Sequence, residues 1–131
     1  MREIKFRGFN RKNNVWLHGF YLQNRGAHFV CPDEWATGKS WDDYEIDPDT
    51  LGQLIDRKDK KDNDIYDGDI IRLDVCGDGS HGVVVYDAEH AMFALRYDDP
   101  HNPVIYGLYD CQQNELEVIG NIHDNPELLK K

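Results

Sequence analysis

A chain of 131 residues amounts to one ordinary domain and can bury roughly two-thirds of its unfolded surface, enough for a single core. Its net charge of −10 and pI near 4.9 disfavour non-specific binding to nucleic acid, whose phosphates would repel such a field. Cys31, Cys76 and Cys111 are odd in number and form no CxxC pair, and the opening MREIKFRGFN has no apolar signal region. No run approaches the roughly 20 apolar residues of a membrane helix, so the expectation is a soluble cytoplasmic protein with free thiols.

Taken in order, Ile4, Phe6 and Phe9 alternate with Arg2, Lys5 and Arg7, a period of two that predicts a half-buried strand. Asn10 to Asn14 is turn-forming, and Val15 to Leu22 reads as the return strand of a hairpin, with Gly19 as a bulge candidate. This is the basic region of the chain. Phe6, Trp16 and Tyr21 beside Arg2, Lys5 and Arg7 therefore offer a base-stacking platform as the alternative to core packing, the commoner fate of strand aromatics. Ala27 to Cys31 is a third strand. His28 and Cys31 have a ligand-like spacing, but a structural zinc needs four groups and there is no second close pair. No metal and no cofactor are assigned.

Residues 32–50, PDEWATGKSWDDYEIDPDT, combine turn formers and acids with Trp35, Trp41 and Tyr44. Binding residues concentrate on loops, which makes this the best loop candidate for function; the plainer reading is that the aromatics pin a long loop to the core. Asp47-Pro48 reads as a turn.

The apolar run Leu51, Leu54 and Ile55 leads into a charged segment, Arg57 to Asp64, read as a solvated connection. Asp67-Gly68 is a turn that hands the chain into a strand at Ile70 to Leu73. Asp56, Asp59, Asp62, Asp64, Asp67 and Asp69 suggest a cation site. A calcium loop begun at Asp62 would need Gly where Asp67 stands, and Lys58, Lys60 and Lys61 offset the charge, so a solvated loop of turn-forming aspartates is the stronger reading.

Farther on, Cys76 to Ser80 is a flexible connection without a phosphate-loop pattern. Gly82–Tyr86 and Met92–Tyr97 make the clearest hairpin, DDPHNP (98–103) breaks it, and Val104–Tyr109 and Leu116–Ile122 supply two more strands. Asn125-Pro126-Glu127 followed by Leu128, Leu129 and two lysines predicts a helix of one or two turns.

The stretch GQLIDRKDKKDNDIYDGDIIRL resembles the centre of the phage YopX family. The opening MREIKFRGFNRKNNVWLHG and the closing EVIGNIHDNPELL resemble that family's two ends. The blocks occur in order and span nearly the whole chain, with least resemblance at 27–41 and 74–113. The resemblance implies a small, mainly β, phage or prophage protein, and it supplies no activity or catalytic residues.

The fold expected is mainly β: a small SH3-like barrel over about 64–123, an N-terminal hairpin packed beside it, and a short C-terminal helix. It is read as one domain, 1–131, with a possible division into 1–50 and 51–131. The function expected is a non-catalytic accessory protein that engages a host or phage protein in the bacterial cytoplasm, through acidic loops or an exposed strand edge. Its candidate binding residues are Trp35, Trp41, Tyr44, Asp67 and Asp69. One alternative is a metal-dependent hydrolase using Asp67, Asp69 and Asp74 with His81. The other is a nucleic-acid-binding barrel contacting through the basic hairpin, against which the overall charge argues. Exposed strand edges leave a homo-oligomer open.

Overall fold

Alternating apolar residues and turn formers give ten strands and four short 3-10 turns among the residues described in the computed structural model, 2–73, 81–97 and 104–129. Asp74, the Cys76–Ser80 connection, the 98–103 breaker and Lys130-Lys131 lie outside that set. The strands form two antiparallel five-stranded sheets, ordered β3-β2-β1-β4-β5 and β10-β6-β7-β8-β9. The chain divides into two compact units, Met1–Leu54 and Ile55–Lys131. Among the described residues no helix is long and apolar enough to cross a membrane.

In the first unit, β1 (Phe6–Asn10), β2 (Val15–Asn24) and β3 (Ala27–Cys31) form a meander, and β4 (Asp47–Lys58) pairs with the free edge of β1. The β1–β2 register runs unbroken from Phe6↔Gly19 to Asn10↔Val15, so Gly19 is not the expected bulge. It is a site of close approach: a Cβ there would lie 2.0 Å from the Cys31 carbonyl oxygen. The register shift falls instead between Arg7 and Phe9 on the β4 side, where the Phe9 N–H donates to Thr50 Oγ1 at 2.8 Å.

Asp47-Pro48, expected to turn, is the start of β4, with Asp47 opposite Phe9. Just before it, residues 44–46 pair with β3: Val30 N–H donates to the Tyr44 carbonyl (3.0 Å) and Ile46 N–H to the His28 carbonyl (2.9 Å). This covers the outer edge of β3, which would otherwise present unpaired backbone groups. Phe29, Val30, Tyr44, Ile46 and Leu54 are buried. Asn10 is buried with them, its amide donating to the carbonyls of Asp42 (3.1 Å) and Glu45 (2.8 Å) and so tying the aromatic loop to β1.

In the second unit, Asp67-Gly68 turns as expected, with Gly68 at φ 92°, between β5 (Asp64–Tyr66) and β6 (Asp69–Leu73). β7 (His81–Asp87) and β8 (Met92–Tyr97) form the hairpin read from sequence. β9 (Val104–Gly107) stops before Tyr109 because Leu108–Asp110 winds into a 3-10 turn, and β10 (Leu116–Asn121) returns to pair with β6. The core comprises Ile65, Ile71, Leu73, Val84, Leu95, Leu108, Cys111 and Leu116. Burying each large aliphatic among them stabilises by about 1.5–3 kcal/mol.

Three expectations are revised here. No closed barrel is found among the described residues. The C-terminal signal produces one 3-10 turn, Pro126–Leu129, rather than an α-helix, too few residues to offset helix nucleation. The charged segment is a solvated connection only in part: Lys60 to Asn63 are exposed, but Arg57 and Lys58 belong to β4, and Asp59 is fully buried. Arg57 donates to the carbonyls of Leu108 (2.8 Å) and Cys111 (2.6 Å), satisfying the polar ends of the 3-10 turn that caps the core.

Candidate recognition surface

The aromatic loop of the first unit is built outward from Tyr44. That ring is buried beside β3, and the Trp35 ring meets it edge-on at 4.5 Å between centroids. Trp41 stands edge-on both to Trp35 (5.1 Å) and to the buried Phe29 (5.3 Å), so the four rings form one chain of T-shaped contacts. Polar bonds fix the backbone around them. Trp35 Nε1 donates to the Lys39 carbonyl at 3.1 Å, and Ala36 N–H donates to the Tyr44 hydroxyl at 3.3 Å. Ser40 and Asp43 form a capping box on the 3-10 turn Trp41–Asp43.

Tyr44 pins the segment down, while Trp35 and Trp41 remain 47% and 53% exposed. Sequence placed these three together, and the structure does bring them into contact.

The neighbouring charges fall into two groups. Lys12 pairs with Asp43 (2.9 Å) and Asp42 (3.1 Å), and Arg11 pairs with Asp47, joining the β1–β2 turn to the loop. The Ser40 backbone N–H, then Asn13 and Lys12, hold the Asp43 carboxyl well below the usual range. Arg11, Lys12, Asp42 and Asp47 line a cleft of about 550 Å³ with Asn10, Glu45, Ile46 and Pro48. Asp33, Glu34 and Glu45, by contrast, are exposed and make no ion pair among the described residues.

The two aspartates proposed with the aromatics lie in the other unit and have different roles. Asp69 is buried, and its Oδ2 accepts the Tyr66 N–H at 2.8 Å, closing the β5–β6 turn. Asp67 occupies the first corner of that turn, half-buried. Asp59 is the aspartate that sequence reasoning undervalued. It accepts from the N–H groups of Lys61 (2.9 Å), Asn63 (2.8 Å) and Val118 (2.9 Å), and from Asn63 Nδ2 (3.3 Å). Burial penalises its charged form, yet these donors outweigh that penalty and hold its pKa below the ordinary value.

The remaining candidates resolve similarly. Phe6 packs on Tyr21 (5.7 Å) and Phe9 on Trp16 (5.4 Å), while the buried Arg7 guanidinium lies over the Trp16 ring at 5.0 Å. The hairpin aromatics therefore pack on neighbours within their own unit. His28 and Cys31, three apart on one strand, face opposite sides of the sheet and cannot share a ligand. His28 instead bonds the Tyr21 hydroxyl (2.5 Å). His81 Nδ1 lies 3.4 Å from the Leu128 carbonyl. At the β7–β8 turn, Asp87, Glu89 and His90 bring their ligand atoms within 4.8 Å of one another. There the Asp87 oxygens are engaged by the turn itself, accepting the Glu89 N–H (3.2 Å) and meeting His90 Nδ1 (2.7 Å).

A mainly β chain of two antiparallel five-stranded sheets, with its half-exposed indoles gathered on one braced loop, defines the class of protein. The YopX protein family model matches residues 5–130, and the chain belongs to that family. It is also similar to the crystal structure of protein EF1440 from Enterococcus faecalis, with a TM-score of 0.63 and 23% identity over 99% of this chain and 100% of that one, a likeness of fold. No curated protein matches the chain.

Proposed function

We propose that this YopX-family chain is a non-catalytic binding module, an accessory protein of phage or prophage origin that engages a protein partner in the bacterial cytoplasm through its Trp35–Trp41–Tyr44 surface. One observation carries the reading: two half-exposed tryptophans are held edge-on to each other on a braced loop, Trp35 against the buried Tyr44 and Trp41 against the buried Phe29. Rigid exposed indoles lose little entropy on binding and recur at the energetic centres of protein interfaces. The conspicuous acids are otherwise engaged: Asp59 and Asp69 satisfy buried backbone donors, which leaves them poorly placed to hold a metal-bound water. For the second unit, the sheet order β10-β6-β7-β8-β9, with 3-10 turns between β9 and β10, supports an SH3-like reading.

Site-specific photo-crosslinking in the producing cells tests the reading. A photoreactive residue at Lys39, on the aromatic loop, should capture a protein that one at Glu89 does not, and W35A/W41A should abolish the capture. Equal capture from both positions, or capture indifferent to the double variant, would refute it.

A further inference from the structure

The register of β2 and β3 extends the aromatic loop into a larger apolar face. Leu22 stands directly opposite Phe29 and Phe20 opposite Cys31, and opposed residues share one side of a sheet. Phe29 in turn touches Trp41, and Trp41 touches Trp35. Phe20 (59% exposed) and Leu22 (39%) are thus continuous, through the buried Phe29, with the two half-exposed indoles. Soluble proteins rarely leave such a run of large apolar side chains in water without a partner for it.

The charge beside this face decides what fits it. Residues 32–50 carry seven acids against one lysine, Lys39. Asp42, Asp43 and Asp47 are paired with Lys12 and Arg11, but Asp33, Glu34 and Glu45 keep their charge unpaired among the described residues. A second copy of the chain would bring the same acids and be repelled. A guanidinium satisfies both halves of the surface, since it stacks on an indole face and bonds carboxylates through a planar fork. Arg7, its guanidinium 5.0 Å from the Trp16 ring centroid, shows the same cation–indole pairing inside this protein. Resting on the aromatic-surface reading above, we infer that the occupant of the Phe20–Leu22–Trp41–Trp35 face is a basic, arginine-bearing protein segment, with arginine on the indoles and Asp33, Glu34 and Glu45 receiving its charge.

The test uses the full ¹⁵N-labelled chain and three short Gly-Ser peptides bearing arginines, lysines or glutamates. The indole N–H signals of Trp16, Trp35 and Trp41 are followed by NMR. The arginine peptide should move Trp35 and Trp41 but not Trp16, and should bind roughly fivefold more tightly than the lysine peptide. Substituting the exposed pair, D33N/E34Q, should weaken it severalfold without touching the packed rings. If the glutamate peptide moves the same indoles equally, the basic-partner inference falls while the recognition surface stands. If the arginine peptide leaves Trp35 and Trp41 unmoved, both fall. If those indoles move with protein concentration alone, the occupant is a second copy and the inference is overturned.

Discussion

The Asp59 carboxylate accepts the backbone N–H of Val118 at 2.9 Å, across 59 positions of sequence. With the Lys61 and Asn63 donors on the same side chain, it joins the β4–β5 connection to β10. A neighbouring bond works in parallel, as Gln113 Nε2 donates to the Asp59 carbonyl at 2.9 Å.

Replacing that carboxylate should therefore cost stability. D59N turns one acceptor oxygen into an amide facing N–H groups and should destabilise by about 1–3 kcal/mol, and D59A by more. D62N, at an exposed position whose left-handed backbone (φ 65°) asparagine tolerates, should stay within about 0.5 kcal/mol of the parent. Chemical denaturation measures all three, and a D59N variant as stable as the parent would refute the assignment.

Two glycines separate steric from conformational cost. G19A places a methyl against the Cys31 carbonyl, a backbone atom that cannot swing aside, and should destabilise by about 2 kcal/mol or more. At Gly26, also at positive φ (81°), a Cβ would meet nothing within 4 Å, so G26A should cost only about 1–2 kcal/mol of backbone strain. Thermal unfolding followed by circular dichroism should rank G19A below G26A.

Glu117 gives the fold an acid-sensitive support. Hydrogen bonds from Lys60 (2.8 Å) and Arg72 (2.7 Å) lower its pKa from 4.5 to about 2. A carboxyl whose pKa falls on folding adds stability above its unfolded value and loses that contribution as pH drops through the folded one. The stability gap between the parent and E117Q should be full above about pH 5 and shrink between about 4.5 and 2. Melting curves of both proteins across that range check this, and a gap independent of pH would contradict it.

Most strands were legible as β-prone runs bounded by turn formers, as in Ala27–Cys31 and the β7–β8 hairpin. What escaped was set by distant partners. Arg57 and Asp59 look like surface charge until the carbonyls of Leu108 and Cys111 and the Val118 amide are known to meet them. Asp47-Pro48 looks like a turn because proline cannot donate to a ladder, yet it starts β4, where one missing donor is tolerated. The aromatic loop stood out because three large rings among turn formers are unusual. Phe20 and Leu22 did not, because only the β2–β3 register shows that they share the Phe29 side.

On the proposed reading, Trp35 and Trp41 recognise a protein while the buried acids hold the fold. The most direct measurement is the affinity of the W35A/W41A variant for the partner captured at Lys39, both purified, beside its unfolding free energy. At least a tenfold loss of affinity with β structure retained is the predicted result. Undiminished affinity in a folded double variant would contradict it.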